Sequence, residues 1–590
     1  MTDDLDLSEE QLRALDSNVR LVEACPGAGK TRVIVARYRA SIASGGKSVA
    51  LLSFTNAAID EVTRRSGSYD GRTAVPNFVG TFDAFLHRYV VTPWFRRTFR
   101  KTPSYLDSWN ELSGDISVVK APGVHGSGVP LGSFVPNAQG EYVFLEATAA
   151  NARTYIAQLA KHGTTPNDLI STARAKISGL NRAGTFDCDG ARYKALQILC
   201  DPTQKWLQNR IADRFKEVLV DEFQDCSEVE HAILDRLVEL KVKVVVVADP
   251  DQAIYAFRQV TSVDYGAYRD ALPRDSVVRL KDNHRSSPAI CALVGALRRS
   301  GDAQIRSVGD IPDAWRAQKI VVAVGSPEFQ RTVFAELATG LNIAERDRQI
   351  LSDTRNGALA LSGGRNYDAS GNDGTGRLLS ALGSLITTRT STAKRDTLSR
   401  AAHVILGAFD WPENMSNAGM TRKLDALGLS MSSVSWFMSE LLARSVDWTD
   451  RQDVGKSIVA LLKSQFQSSS PKLVRTLGNR FRSAAEEDWQ SWSHAITHAT
   501  TPIPAAKHIH AVKGGEFEAV LLDIPSRARA GEEHVLDTWV NGRSSESLRV
   551  FYVGASRARA LLVLAVAERQ LATLERGLSE ASVPYVVLSS

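Results

Sequence analysis

The chain has 590 residues, of which 43% are hydrophobic and 23% are charged, and its formal net charge is +5. This balance is typical of a globular protein, argues against extensive disorder and allows about four domains of ordinary size. The longest apolar stretches, 244–248 and 560–567, are far shorter than the ~20 residues of a membrane-spanning helix, and the acidic segment 1–6 does not resemble a signal peptide. Five cysteines without a C-x-x-C pair argue against a disulfide framework or a structural zinc site and favour a cytoplasmic protein. The weak net charge permits a nucleic-acid partner without implying one.

Short apolar runs bounded by turn residues predict buried strands, and helical patterns such as 31–43 and 287–299 lie between several of them. The predicted strands are 20–24, 49–54, 218–221, 242–248, 320–324, 520–523 and 561–565. Strands that alternate with helices are typical of parallel sheets covered on both faces. Strand-poor stretches around 85–205 and 380–500 separate the strands into groups. The sequence therefore predicts an α/β fold with two parallel-sheet domains, each interrupted by a mainly helical insertion.

The segment after the first predicted strand has the pattern of a phosphate-binding loop that opens a helix. Glycines allow backbone N–H groups to surround an anion. Lys30 would neutralise the β- and γ-phosphate oxygens of ATP, and the Thr31 hydroxyl would bind Mg²⁺. A chance glycine-rich turn is the alternative, but the strand before and the helix after favour nucleotide binding. The predicted binding residues are Ala24, Cys25, Pro26, Gly27, Ala28, Gly29, Lys30 and Thr31.

Two adjacent carboxylates, Asp221 and Glu222, follow the predicted strand 218–221. Asp221 can hold Mg²⁺ through its water shell, and Glu222 can orient and deprotonate an attacking water. Alone, such a pair is commonly a solvated turn. Together with a phosphate loop it predicts a hydrolysis centre, because phosphoryl transfer depends mainly on positioning and charge neutralisation.

These segments resemble the superfamily 1A helicases of the UvrD/PcrA/Rep type, and the resemblance extends over nearly the whole chain. In chain order, the motifs Q, Ia, Ib, III, IV, V and VI of that family are resembled by residues 7–11, 53–58, 80–85, 249–258, 283–287, 509–517 and 549–558. The resemblance implies two RecA-like motor domains, each with an insertion. The implied limits are 1–84 and 205–278 for domain 1A, 85–204 for insertion 1B, 279–385 and 500–590 for domain 2A, and 386–499 for a reduced insertion 2B.

The same resemblance implies roles for individual residues. It places Gln11, Arg32, His284 and Glu516 around the base and ribose of ATP. It makes Gln252 a sensor of the γ-phosphate, and Arg285 and Arg557 arginine fingers. The DNA contacts that it implies are Thr55, Asn56, Thr81, Phe82, Tyr255, Phe257, Arg258, His510 and Lys513.

The sequence departs from the family pattern at three of these motifs. His284 replaces the usual tyrosine of motif IV, Asp83 replaces the usual histidine of motif Ib, and His508 replaces the threonine of motif V. Nucleotide preference and the motif Ib contact with DNA therefore stay open. The basic and aromatic segment 87–101 favours DNA contact, although a solvated basic helix face is an alternative.

The leading interpretation is an ATP-dependent DNA helicase that moves on single-stranded DNA, unwinds tailed duplexes and acts in repair or recombination. The 3′→5′ direction is implied by the resemblance alone. One alternative is a helicase–nuclease of the recombination type, in which any nuclease would be a separate subunit, since the chain ends roughly thirty residues after Ala558. A related alternative is the helicase subunit of an anti-phage pair such as Gabija, which would work with a separate nuclease. A repair factor is another possible protein partner. A nucleotide-gated DNA-binding scaffold is a further alternative, and the complete set of catalytic motif residues argues against it.

Phe257 provides a test that needs only the sequence. An aromatic ring that stacks on a base contributes ~1–3 kcal/mol per base. We therefore expect Phe257→Ala to slow translocation on single-stranded DNA more than it slows ATP hydrolysis without DNA. Equal losses in stopped-flow translocation and in basal ATPase assays would mean that the ring is structural.

Overall fold

The computed structural model describes residues 7–53, 59, 76–112, 114–120, 128–145, 152–162, 164–254, 262–299, 304–361, 374–387, 391–412, 415, 420–497, 506–512, 514–529 and 531–590. The chain forms two compact units. The first holds the chain up to Arg285 together with Arg298–Asp310, and the second holds Ser286–Leu297 and Ile311–Ser590. Within the described ranges, no helix combines the length and apolarity that a membrane crossing requires.

The first unit is built on a six-stranded parallel sheet. Its strands, in spatial order, are Val277–Leu280, Leu21–Ala24, Lys243–Ala248, Phe215–Val220, Ser48–Ser53 and Phe78–Thr81. The helices that accompany this sheet are Glu9–Arg13, Lys30–Ala43, Phe82–Leu86, Lys205–Arg214, Glu228–Glu239 and Ser262–Asp270.

Both faces of this sheet are buried, as its nearly continuous apolar strands require. Successive residues of one strand enter different cores: Val244 and Val246 pack in one cluster, and Val245 and Val247 pack in the other. Side chains alternate between the two faces of a strand, so each strand contributes to both cores. The edge strand Val277–Leu280 is less buried than the central ones.

The insertion of the first unit contains helices and small sheets. The helices are Thr92–Phe99, Ala152–Lys161, Pro166–Ala183 and Cys188–Cys200. The paired strands are Ser104–Leu106 with Thr185–Asp187, Val118–Val119 with Val129–Pro130, and Phe134–Pro136 with Tyr142–Phe144. These short strands are too irregular in pattern to have been predicted from the sequence.

A buried cluster of charges joins this insertion to the helices that flank the sheet. Arg192, 8% exposed, donates to both carboxylate oxygens of Asp83 at 2.7 Å. It also lies 2.9 Å from Asp189 and 3.1 Å from Glu230. The carboxylates keep the pKa of Arg192 above its usual value although burial opposes this. Asp83 therefore has a structural partner where the family motif has a histidine.

The second unit contains another six-stranded parallel sheet. Its order is Ala506–His508, Arg348–Ser352, Phe517–Asp523, Ala558–Val566, Ile320–Val324 and Tyr585–Ser589. The helices around it are Pro288–Leu297, Asp313–Arg316, Pro327–Gly340, Arg355–Leu361, Val535–Val540, Glu546–Ala555 and Glu568–Glu580. The prediction of two parallel-sheet, RecA-like domains is confirmed.

The insertion of the second unit is helical, with a core of its own. Its helices are Gly374–Thr387, Ser391–Leu406, Met420–Ala426, Met431–Arg444, Arg451–Phe466, Leu477–Arg480 and Glu486–Thr497. Leu378 and Leu382 pack in the same cluster as Phe437 and Leu461. The helical core thus includes residues before 386, where the sequence-based limit was set.

The boundary between the two units also differs from the sequence-based limit at 278/279. Residues 279–285 and 298–310 belong to the first unit. Two interactions explain this. The strand Asp282–Asn283 pairs in parallel with Arg306–Ser307, and the Arg298 guanidinium lies 3.3 Å from the Asp251 carboxylate.

The buried charge cluster predicts a large stability effect. Removing one partner of a buried ion pair typically costs about 3–5 kcal/mol, so we expect Arg192→Ala to lower the free energy of unfolding by that amount. Arg182→Ala, at an exposed position on the preceding helix, is the control and should change it by less than about 0.5 kcal/mol. Urea unfolding followed by circular dichroism makes the comparison, and equal midpoints would show that the cluster does not stabilise the fold.

Candidate nucleotide-binding site

Three sequence motifs meet at one edge of the sheet in the first unit. The phosphate loop follows the strand Leu21–Ala24, the Asp-Glu pair follows Phe215–Val220, and Asp249 follows Lys243–Ala248. These strands are neighbours in the sheet and run parallel. Their carboxyl ends therefore lie side by side, which is where open α/β sheets bind ligands.

The phosphate loop requires glycine at two positions. Gly27 and Gly29 have φ values of 73° and 81°, in the left-handed region. A Cβ atom would lie 2.7 Å from Asn283 Oδ1 at Gly27 and 2.7 Å from Gln11 Nε2 at Gly29. The helix Lys30–Ala43 begins directly after this turn without a side-chain cap. Its N-terminus is thus suited to an anionic ligand.

Two side chains hold the loop from outside. Gln11 donates from Nε2 to the Ala28 carbonyl at 2.9 Å, and its side-chain oxygen Oε1 accepts the Ser8 N–H at 3.1 Å. Asn283 donates from Nδ2 to the Pro26 carbonyl at 2.7 Å. The backbone N–H of His284 adds a bond of 3.0 Å to Gly27. The loop shape therefore depends on two segments that are distant in sequence.

Buried carboxylates lie next to the loop. Asp221 is 3% exposed and Asp249 is fully buried. Burial, reinforced by the neighbouring Glu222, raises the pKa of Asp221 to about 7, and Lys30 opposes this rise. Burial also raises the pKa of Asp249, whose Oδ2 lies 3.9 Å from the Lys30 ammonium. Lys30 thus sits among negative charges that water does not screen.

A hydrogen-bonded chain of side chains orients Glu222. Glu222 adopts a left-handed conformation with φ 53°, which is uncommon and costly for a residue with a Cβ atom. Its N–H donates to Asp221 Oδ1 at 2.9 Å, and Gln224 Nε2 donates to its carboxylate. Gln224 Oε1 accepts the N–H of Asp249 at 3.0 Å, while Gln252 Nε2 donates to Asp249 Oδ2 at 2.8 Å.

The donors at this edge fit Mg²⁺. Asp221 supplies a buried carboxylate, and Thr31 supplies a half-buried hydroxyl at the start of the helix. Oxygen ligands of this kind are those that Mg²⁺ prefers. A divalent cation would also offset the negative charge that raises the pKa of Asp221.

The other predicted nucleotide ligands are divided between the units. In the first unit, His284 is exposed, and Arg32 and Arg285 are half-buried. In the second unit, Glu516 is exposed, whereas Arg557 is 3% exposed. Arg557 donates to the carbonyls of Val553 and Gly515 and to Ser556 Oγ, at 3.1–3.2 Å. The role of an arginine finger stays a prediction for Arg285 and Arg557.

The predicted DNA contacts fall into three groups. Thr81 caps the helix Phe82–Leu86 by accepting the Ala84 N–H at 3.0 Å. The ring of Phe82 is 1% exposed and packs in the hydrophobic core, and its contact with DNA stays a prediction. Motif spacing does not reveal which side of a helix is buried. Six residues lie outside the described part of the chain: Thr55, Asn56, Tyr255, Phe257, Arg258 and Lys513.

His510, in the second unit, is half-buried and its N–H lies 3.4 Å from His508 Nδ1. Asp353, His508 and His510 are close enough together to hold a metal ion. Arg529 already pairs with both oxygens of Asp353 at 2.7 Å. The His508 imidazole Nε2 lies 2.9 Å from the Asp353 carbonyl. These contacts explain how a histidine is accommodated where the family motif has threonine.

Sequence reasoning gave no role to Asn283, Gln224 or Asp249, although all three lie in the motifs that it recognised. Each makes a side-chain contact with a distant part of the chain: Asn283 with Pro26, Gln224 with the Asp249 N–H, and Asp249 with Lys30. An amide or carboxylate side chain within a recognised motif indicates that a polar contact is present. The residue that it contacts is known only once the fold is known. Gln224 stands two residues after Glu222, and Asn283 directly precedes His284.

Comparison with known proteins agrees with this site. Residues 7–265 match the family model of the UvrD/REP helicase N-terminal domain. The chain is 26% identical over 314 residues to DNA helicase II of Escherichia coli, covering 51% of this chain and 41% of that protein. It is 25% identical over 293 residues to ATP-dependent DNA helicase PcrA of Bacillus subtilis, covering 48% and 38%. It is 24% identical over 327 residues to ATP-dependent DNA helicase srs2 of Schizosaccharomyces pombe, covering 49% and 34%. The match thus spans less than half the length of each relative.

The Asn283 contact predicts that this residue supports nucleotide affinity. Asn283→Ala removes the bond to Pro26 and the acceptor for the Arg285 N–H, which lies 2.7 Å away. At about 0.5–1.5 kcal/mol per bond, the two bonds together contribute about 1–3 kcal/mol, and we expect roughly 5- to 150-fold weaker binding of a fluorescent ATP analogue. Asn209→Ala, at an exposed helical position of the same unit, is the control. Unchanged affinity in a folded Asn283→Ala protein would mean that the loop holds its shape without this contact.

Proposed function

We propose that this chain, which belongs to the UvrD-like helicases of superfamily 1A, hydrolyses ATP in order to move along single-stranded DNA and unwind duplex DNA. The observation that carries this proposal is the meeting of four elements at one sheet edge. They are the phosphate loop with Lys30, the buried Asp221, the oriented Glu222, and Gln252 in the short turn that follows the neighbouring strand Lys243–Ala248.

ATP would bind with its phosphates in the loop at the N-terminus of the helix Lys30–Ala43. Backbone N–H groups and the helix dipole favour negative charge there. The Lys30 ammonium, 3.9 Å from Asp249 Oδ2, would then exchange a carboxylate contact for the β- and γ-phosphate oxygens. Gln11 and Asn283 keep the loop open for the phosphates through their bonds to Ala28 and Pro26.

Thr31 and Asp221 would hold Mg²⁺, which when bound supplies neutralisation of the phosphate charge. The chain itself supplies the general base that activates the attacking water. Glu222 would accept the proton of the attacking water as the new oxygen–phosphorus bond forms and the bond to ADP breaks. Gln224 fixes the Glu222 carboxylate, so the base is oriented before the substrate arrives.

Coupling to DNA would begin at Gln252. Its amide bonds to Asp249 at 2.8 Å, and the segment with Tyr255, Phe257 and Arg258 follows a few residues later. Hydrolysis or release of the γ-phosphate would therefore change the contact between this segment and a DNA base. Arg285 and Arg557 are proposed to stabilise the transition state as arginine fingers, an effect that in related enzymes can reach ~10³–10⁵ in turnover. The proposed direction is 3′→5′, and the proposed setting is DNA repair or recombination.

Two substitutions separate binding from chemistry. Lys30→Ala should weaken nucleotide binding and abolish hydrolysis. Glu222→Gln should bind ATP normally but hydrolyse it roughly 10²–10⁴ times more slowly, since it removes only the base. Lys47→Ala, a solvent-exposed lysine of the same unit, is the control. ATPase rates, nucleotide binding and unwinding of 3′- and 5′-tailed duplexes are measured on all four proteins.

Near-normal hydrolysis by Glu222→Gln would reject its role as the base. Undiminished hydrolysis by Lys30→Ala would remove the proposed site altogether. Unwinding of the 5′-tailed duplex alone would reverse the proposed direction, and unwinding of neither duplex would leave an ATPase that is not a helicase.

A further inference from the structure

The first unit has a second concave surface, separate from the phosphate loop. It is a cavity of about 1130 Å³ beside the edge strand Val277–Leu280 and the helix Glu9–Arg13. Six basic side chains line it: Arg13, Arg269, Arg274, Arg279, Lys281 and Arg306. Two acids, Glu10 and Asp270, also line it. We refer to this cavity as the basic pocket.

Contacts beneath and beside the pocket fix several of its arginines. The carboxylate of Glu23, on the neighbouring strand, is 6% exposed and lies 2.8 Å from Arg279 Nε and 3.9 Å from Arg269 Nη1. It also accepts the Tyr265 hydroxyl at 2.8 Å. At the rim, Arg306 pairs with Glu10 at 2.9 Å and with Asp282 at 2.7 Å. These guanidinium groups are thus held in place by the fold.

The pocket carries an excess of positive charge, because six basic side chains line it and only two acidic ones do. Arg13 and Arg274 are exposed, and neither forms an ion pair with an acid in the described part of the chain. Like charges gathered in a concavity raise its potential and favour an anionic ligand. Five of the six basic side chains are arginines, whose planar guanidinium groups can donate two parallel hydrogen bonds to phosphate oxygens.

The lining also indicates the class of ligand. Its apolar residues are Leu272, Val277 and Val278, all only partly buried. Protein interfaces are usually anchored by large apolar or aromatic side chains in a desolvated centre. Nucleic-acid interfaces are instead polar and strongly positive. The composition of the pocket therefore favours a phosphate backbone over an acidic peptide.

We propose that the basic pocket binds the phosphate backbone of the DNA on which the motor acts, as a contact additional to the strand-binding motifs. This inference rests on the proposed DNA-dependent function. It adds an affinity that is independent of base sequence and sensitive to salt. The basic side chains of the pocket lie on or beside an edge strand and a capped helix, so the pocket is already formed before DNA binds.

The test uses the full chain with Arg13→Glu and Arg274→Glu combined, neither of which is among the predicted nucleotide-binding residues. The control combines Arg346→Glu and Arg576→Glu, two exposed arginines with the same total charge change. Fluorescence anisotropy measures binding of a labelled single strand and of a blunt duplex between about 50 and 200 mM salt. Loss of two phosphate contacts should lower the salt slope by about 1.4 for the single strand or 1.8 for the duplex.

We expect the pocket variant to bind at least one of the two DNA probes roughly tenfold more weakly at low salt, a loss of about 1.4 kcal/mol. The control should keep wild-type affinity, and basal ATPase should be unchanged in both. The probe that is affected identifies the strand or the duplex as the source of the phosphates. Equal affinities and salt slopes for the two variants would overturn the proposal. Binding of a labelled poly-glutamate peptide is measured in the same way, and a loss of affinity for this peptide but for neither DNA probe would also overturn it. If the unaltered chain binds no DNA, it is the proposed function that fails.

Discussion

The electrostatic interaction of Lys30 with two buried carboxylates is the constraint on which the candidate site depends. Asp221 and Asp249 end two neighbouring strands and are almost completely removed from water. Their raised pKa values reflect the cost of placing negative charge there, and Lys30 offsets part of it. The buried carboxylates carry more negative charge than Lys30 alone neutralises. A cation and a phosphate group that bind together would complete the neutralisation, so the proposed binding and the proposed hydrolysis use the same few residues.

The surroundings of the site keep that charge arrangement in place. Gln11 and Asn283 reach the phosphate loop from segments about 270 residues apart in the sequence, and each bonds to a loop carbonyl. Gln224 links Glu222 to the strand that carries Asp249. The sheet brings these segments together because its central strands are parallel and buried on both faces. The shape of the phosphate loop and the orientation of Glu222 thus follow from one strand order, and so does the position of the proposed γ-phosphate sensor Gln252.

The sequence predicted what is local and could not predict what depends on distant contacts. The strands 20–24 and 242–248 agree with Leu21–Ala24 and Lys243–Ala248, since long apolar runs define buried strands. The edge strand Val277–Leu280 was not predicted, because Arg279 interrupts its apolar run. The edge strand Tyr585–Ser589 was not predicted although its first four residues are apolar. The phosphate loop was found from glycine spacing, whereas the tether through Asn283 depends on the folded chain. Phe82 belongs to a recognised motif, but its burial is decided by packing against the core.

We propose that hydrolysis at this sheet edge is coupled to DNA binding. The steady-state rate of ATP hydrolysis by the unaltered chain, measured with and without saturating single-stranded DNA, tests this coupling. We expect a rate at least tenfold higher with DNA, because strand binding would complete the site around the γ-phosphate and lower the activation barrier by ~1.4 kcal/mol. An ATPase rate that stays the same at every DNA concentration, in a chain that binds both ligands, would contradict it.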